Sequence, residues 1–317
     1  MSVKKDPITT PVAFGEALAA AGDKYENLYA IAADTTKSMG YTKLMAAHPD
    51  KVVNCGIAEQ HMALMGAGAA SCGAKAVIAS YACFVSMRAL EQLRTFIGYG
   101  NLDVKIVAGL AGLAGSLEGV THEGLEDISI MRGIANMVIL VPADAASTIK
   151  IAEKMFAYNG PCYLRLGGRT PFDTTFDDSY TFEIGKANVL EGSGTDAAVI
   201  VCGAPTHRAI LARELLVQKG YSVQLIEMPC IKPIDREAIV KAAKETGLIV
   251  TIEENNILGG LGGAVAEVLG EEYPCRLKRI GIRDCYAESA EHDELLDKYG
   301  FKPEDLAREI ETAIQNK

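Results

Sequence analysis

A single carboxylate stands at the entrance to one of the most apolar stretches of this chain. In NCGIAEQHM, Asn54 to Met62, Glu59 precedes MALMGAGAASCGA. Small apolar residues around the whole circumference predict a helix buried on all sides. A carboxyl group drawn into such surroundings has its ionised form disfavoured, so it can donate or share a proton near neutral pH. The plainer reading is a glutamate that opens the helix and meets its dipole. A second segment, ASYACFVSMRAL, carries Tyr81 and Phe84 in a strand-to-helix turn. Two aromatic rings there can wall a flat heterocycle, or simply fill core. A third, VAGLAGLAGSLEGVTHEG, has Gly109, Gly112, Gly115, Gly119 and Gly124 with His122 and Glu123 near its end. Its glycines permit unusual dihedrals or close approach of a ligand, and His122 can donate a hydrogen bond or move a proton. A mobile surface loop with a solvated histidine fits the same residues.

Two smaller sites and one decoy complete the set. ADTTKS, Ala33 to Ser38, offers a carboxylate and hydroxyls after a strand, equally suited to capping a helix. Arg165 and Arg169 in YLRLGGRT can hold an anion as a fork of donors, or pair with a carboxylate. EENNILGGLGGA, Glu253 to Ala264, invites a dinucleotide reading, but its glycines do not fall as GxGxxG. Tight packing of a helix on a sheet accounts for them better.

The elements that must position these residues alternate in type. Candidate strands at Leu28 to Ala33, Val52 to Cys55, Ala76 to Ser80, Val104 to Ala108 and Met137 to Val141 interleave with helices at Pro11 to Ala21, Glu59 to Ser71, Val85 to Ile97 and Ala143 to Phe156. After TPFDTTFDDSYTFEIG a second series follows, with strands at Ala197 to Cys202, Ser222 to Ile226, Leu248 to Ile252 and Cys275 to Ile280. Its helices run Thr206 to Lys219, Asp235 to Thr246, Leu261 to Leu269 and Pro303 to Gln315. The pattern predicts an α/β protein of two consecutive doubly wound domains, the first built on a mostly parallel sheet and the second smaller. Residues 1–170 form the first domain, 171–186 the linker and 187–317 the second.

Composition excludes several functions. A net charge of −10 over 317 residues, with no tryptophan, leaves no basic patch for duplex or single-stranded nucleic acid. The longest run free of ionised side chains, Gln60 to Ala74, is short of the roughly 18 apolar residues of a membrane helix. MSVKKDPITT lacks a signal peptide's apolar run, and eight scattered cysteines without a CxxC pair read as reduced thiols, so a cytoplasmic location is expected. A mean hydropathy of +0.13 leaves apolar surface for a partner to cover.

In order and spacing, AADTTKS, GIAEQHM, YACF, EGVTHEGLED, NMVILVPADA, PCYLRLGGR and EENNILGGLGGAV resemble the pyrimidine-binding and carboxyl-terminal domains of transketolases and their thiamine diphosphate relatives. The resemblance spans nearly the whole chain, and GIAEQHM is its most specific part. It implies that Glu59 bonds the aminopyrimidine ring of thiamine diphosphate and favours its imino tautomer, whose amino nitrogen takes the thiazolium proton to make the ylide. It further implies that Tyr81 and Phe84 wall the pyrimidine and that Asp34 lies near the cofactor. Ser38 and Arg169 would hold a sugar phosphate, His122 would face the substrate, and Glu118 stands where many members carry an aspartate that reads a sugar hydroxyl. Leu110 replaces a phosphate-contacting histidine of those enzymes.

The family's earlier domain, with a GDG segment and an asparagine that hold Mg2+ and the diphosphate, has no counterpart here. Gly22, Asp23 and Lys24 form an isolated match on a helix end. The resemblance therefore implies one subunit of a gene-split transketolase. An N-terminal subunit would supply the GDG motif and the metal ligands, with two copies of each chain. The reaction expected is transfer of a two-carbon ketol unit from a ketose or ketose phosphate to an aldose or aldose phosphate. Deoxyxylulose-phosphate synthase, the beta subunit of a 2-oxo-acid dehydrogenase and a non-catalytic partner-binding paralogue are the competing readings.

Overall fold

In the computed structural model, which describes residues 4–317, the alternating pattern folds into two α/β layers. Seven strands form the first sheet, in the order Cys230–Lys232, Val138–Leu140, Cys162–Arg165, Val104–Gly109, Lys75–Tyr81, Leu28–Ala32 and Val52–Asn54. All pair in parallel except Cys230–Lys232, which runs antiparallel to Val138–Leu140. That edge strand comes from the second half of the chain, so the first sheet is completed across the expected domain boundary. The second sheet has five strands, Arg276–Ile282, Leu248–Asn256, Ala197–Cys202, Val223–Glu227 and Asn188–Glu191, with only the last antiparallel.

Near-continuous apolar strands such as Val104–Gly109 and Ala197–Cys202 are buried along their whole length, as sheets covered on both faces require. Phe14 and Leu18 of helix Thr10–Lys24 meet Phe156 of helix Ala145–Ala157 over one face of the first sheet. On the other face a single apolar core runs from Met62, Ile78 and Ile106 to Ile200 and Ile249 of the second sheet and Leu261 of helix Leu261–Glu272. Both sheets therefore share one interior. Among the described residues no helix is long and apolar enough to cross a membrane.

Two expectations need correction. Helix Glu59–Ser71 is not buried on all sides: Met62, Ala63, Gly66 and Ala67 are buried, whereas Gln60, His61, Leu64 and Gly68 are exposed. Gly66 packs so closely on the sheet that a Cβ there would lie 2.6 Å from Ile78. Residues four apart share one face of a helix, so the exposed row is a stripe left over once the sheet has claimed the other side. The helix expected over Val85 to Ile97 is instead two π-helical turns, Phe84–Arg88 and Leu93–Gly98, around a short α-helical piece. Short elements carried no readable period and emerge only from the fold, among them Cys162–Arg165, Asn188–Glu191, Asp127–Arg132 and His292–Lys298.

Candidate functional site

Parallel strands deliver all their carboxyl ends to one edge, and five successive loops of the first sheet meet there. They hold Asp34 to Ser38, Cys55 to Glu59, Tyr81 to Phe84, Leu110 to Gly124 and Leu166 to Arg169. Strain concentrates in the same loops. Asp34 (φ 59°), Leu110 (φ 53°) and Ser116 (φ 49°) are non-glycine residues in the left-handed region, which costs about 1–3 kcal/mol each. Of the loop glycines, Gly56, Gly112 and Gly119 use positive φ. Gly124 serves close approach, since a Cβ there would lie 2.6 Å from that of Ala82.

Glu59 is 1% exposed at the first turn of its helix. Its Oε1 accepts a hydrogen bond from Ser80 Oγ at 3.2 Å, and its Oε2 accepts one from Arg88 Nη1 at 2.7 Å. The guanidinium carbon of Arg88 lies 4.5 Å from the Phe84 ring centre, so one side chain links the carboxylate to the aromatic wall. The rings of Tyr81 and Phe84 are 5.9 Å apart, and the His122 imidazole sits 5.8 Å from the first and 5.1 Å from the second. Thr121 Oγ1 is 3.0 Å from His122 Nδ1 and orients the ring.

Asp34 and Asn54 exchange two hydrogen bonds, Asp34 N to Asn54 Oδ1 at 3.0 Å and Asn54 Nδ2 to Asp34 Oδ1 at 3.1 Å. Asn54 thereby ties the first loop to the one carrying Glu59. Tyr81 OH lies 3.3 Å from Ser38 Oγ, which places Ser38 beside the aromatic wall. Glu118 pairs with Arg169 at 2.9 Å, and Arg169 is 83% exposed. The second glycine of LGGR has a steric cause: a Cβ on Gly168 would lie 2.5 Å from the Ala114 carbonyl oxygen. Buried Leu110 lies under it, its Cδ2 2.6 Å from the same point.

Arg165, weighed as an anion holder, is not one. It is buried, its Nε donates to the Asp127 carboxylate at 3.0–3.1 Å and its Nη2 to the Gly124 and Glu254 carbonyls. The sequence missed Arg88 and underrated Glu123. Both Glu123 carboxylate oxygens are buried without a hydrogen-bond partner, in a side chain 4% exposed. Burial first, then the Glu254 and Glu288 carboxylates, push its pKa up to about 7. It lines a cavity of about 450 Å3 with Phe84, Arg88, Thr121, Glu126 and Tyr286. A glutamate beside a histidine in a glycine-rich loop was the only sequence signal for it. Among the described residues, no group of three or more His, Cys, Asp or Glu side chains could hold a metal ion.

In the second sheet, EENNILGGLGGA proves structural. Glu253 accepts hydrogen bonds from the N–H groups of Leu261 and Gly262, both at 2.7 Å, and so caps helix Leu261–Glu272. Glu254 accepts from Leu113 N at 2.6 Å, with His292 Nε2 at 2.8 Å. The glycine loop of the first sheet thus fills the crevice at the end of the second.

A buried carboxylate, two aromatic rings and a histidine, joined by side-chain contacts, thus gather at the carboxyl edge of the first sheet of an α/β protein. Residues 6–169 match the family model for the transketolase pyrimidine-binding domain, and residues 185–306 that for the transketolase C-terminal domain. The chain belongs to the transketolase family. A protein of Methanocaldococcus jannaschii, provisionally described as a transketolase C-terminal section, is 40% identical over 94% of this chain and 93% of its own. One of the subunits of the apulose-4-phosphate transketolase of Phocaeicola vulgatus is 36% identical over 89% of this chain and 90% of its own. A solved split-gene transketolase, described as an inactive β4 tetramer, superposes with a TM-score of 0.88 at 37% identity, covering 98% of this chain and 99% of that one. Deoxyxylulose-phosphate synthases also align, but the chain spans about half their length: that of Geobacter sulfurreducens is 35% identical over 94% of this chain and 48% of its own.

Proposed function

We propose that this chain forms the pyrimidine side of a thiamine diphosphate site in a two-chain transketolase, which moves a two-carbon ketol unit from a ketose to an aldose. The observation that carries this reading is the Glu59 carboxylate, buried yet bonded only by side chains, next to the Tyr81–Phe84 wall. Thiamine diphosphate, when bound, supplies the chemistry that breaks and makes the carbon–carbon bond. Glu59 holds a proton at the pyrimidine ring nitrogen, and Tyr81 and Phe84 exclude water from the ring faces. Asp34, fixed by Asn54, borders the cofactor. His122 and Glu118 meet the hydroxyls of the sugar.

Ser38 and Arg169 take the phosphate of a phosphorylated sugar. Arg169 is exposed enough to leave Glu118 for that task. Leu110 offers no polar contact there, so phosphate recognition rests on those two side chains alone. The diphosphate and Mg2+ are held by a partner chain that carries the GDG segment, in an assembly with two copies of each chain. Exposed Leu64, Met87, Phe96, Tyr99, Leu117 and Val120 supply apolar area for that contact. The description of the related solved tetramer as inactive agrees with a chain that needs a partner.

The test is reconstitution. This chain, mixed with a purified partner chain carrying GDG, Mg2+ and thiamine diphosphate, is expected to turn over ketose–aldose pairs, while either chain alone does not. Turnover by this chain alone would sink the two-chain reading. The half-length alignment with deoxyxylulose-phosphate synthases supports a second reading, a deoxyxylulose-phosphate synthase-like activity.

A further inference from the structure

We propose that Arg88 is a built-in stand-in for the pyrimidine ring, holding the Glu59 carboxylate and the Phe84 face in the cofactor-free chain and leaving both when the ring arrives. The proposal rests on the thiamine diphosphate reading of this site. Glu59 is 1% exposed, and a buried carboxylate is costly unless other groups bond both its oxygens. Ser80 serves one oxygen, a neutral donor at 3.2 Å. The other depends on Arg88 Nη1 at 2.7 Å.

The way Arg88 meets this need is specific. A guanidinium is flat and delocalised, with N–H donors in its plane. Here it donates to a carboxylate oxygen while its carbon lies 4.5 Å from the centre of the Phe84 ring. An aminopyrimidine that has taken a proton from solvent onto its ring nitrogen, held by the Glu59 carboxylate and stacked on the wall, would make the same two contacts, one in-plane N–H donor and one π face. Both groups cannot hold the same oxygen and the same ring face.

Arg88 also has the means to leave. Its side chain is 48% exposed, while its partner is buried. It closes the π-helical turn Phe84–Arg88, in which a residue is accommodated outside the regular α-helical ladder. It borders the 450 Å3 cavity that also contains Glu123 and Glu126, so carboxyl groups are at hand for the displaced guanidinium. The pair therefore works as a gate on occupancy. Free Glu59 is never left as a lone buried charge, and the cofactor must displace a charge-assisted hydrogen bond to bind.

The experiment uses the full chain with arginine labelled at its side-chain nitrogens, titrated with 4-amino-5-hydroxymethyl-2-methylpyrimidine and followed by NMR. The Arg88 Nε–H signal, assigned by its loss in Arg88→Met, is expected to move toward the position of a solvated arginine as the fragment binds. Arg88→Met removes the competitor and is expected to bind the fragment roughly tenfold tighter, the scale of a lost charge-assisted hydrogen bond. Arg88→Lys keeps the charge without the flat fork and should fall between. Fragment binding lost in Glu59→Gln and Phe84→Ala but unchanged or weakened by Arg88→Met overturns the stand-in role alone. Binding indifferent to Glu59 and Phe84, or absent from every chain, overturns the reading of the site and the proposal with it.

Discussion

Glu59 and Glu253 are both buried carboxylates near the carboxyl ends of parallel sheets, yet their hydrogen-bond donors differ in kind. Glu253 is held by two backbone N–H groups at the start of a helix, and a Cβ on Gly260 would come within 1.9 Å of its Oε2. Those donors cannot move without unwinding the helix. Glu59 is held by a hydroxyl and a half-exposed guanidinium, both on rotatable side chains. Burial and perturbed acidity therefore do not mark the working carboxylate: Glu253, pushed up to about 7 by burial, is structural. What sets Glu59 apart, on the proposed reading of the site, is that side chains alone supply its donors.

The largest effect separates the two sites outright. Glu59→Gln should lower turnover of the reconstituted complex by about 10²–10⁴-fold, the usual worth of a proton-transfer group, while leaving thermal unfolding nearly unchanged. Glu253→Ala should do the reverse. It strips the cap from helix Leu261–Glu272 and costs about 1–3 kcal/mol, read as a lowered unfolding midpoint with activity per folded complex retained. A melted Glu59→Gln, or a stable but inactive Glu253→Ala, would break the contrast.

Glu123 tests a third situation, a buried carboxyl with no donor at all. Its pKa rises from the ordinary 4.5 to about 7, so the folded chain binds a proton that the unfolded chain releases earlier. The stabilising contribution of that proton is full below pH 4.5 and is lost as pH rises toward 7 and beyond. Denaturant titrations at about pH 5 and about pH 8 should therefore show Glu123→Gln gaining on the parent chain at the higher pH relative to the lower. A gain of equal size at both values would show that Glu123 carries no bound proton. The smallest effect belongs to the Glu118–Arg169 pair, whose arginine is exposed. Arg169→Ala should change stability by under about 1 kcal/mol, yet raise KM for phosphorylated sugars more than for their unphosphorylated counterparts. Equal changes for both sugar classes would remove Arg169 from phosphate recognition.

Much of this was legible in the order of residues. Period and run length define the α/β alternation because an apolar run of five or six residues can be buried as a strand almost anywhere. The segments around Glu59, Tyr81, Phe84 and His122 carry enough identity to imply a family, and the structure brings all four into one crevice. Arg88 was invisible because nothing in SMRAL distinguishes a surface arginine from one that turns inward. That turn depends on a π-helical segment no propensity announces. Arg165 misled for the opposite reason. Its carboxylate partner, Asp127, lies 38 residues away in sequence, and only the packed loop brings the two together.

Local chemistry, written in the sequence, determined the longer strands and helices, and the resemblance of its segments to a family implied which side chains meet a pyrimidine. Tertiary structure decided who bonds whom. It placed Cys230–Lys232 on the first sheet, filled the second sheet's crevice with the glycine loop, and gave Glu59 side-chain donors while giving Glu253 backbone donors. The reason is physical: a carboxylate's role depends on the few atoms within hydrogen-bonding distance, and for buried groups those atoms come from distant parts of the chain.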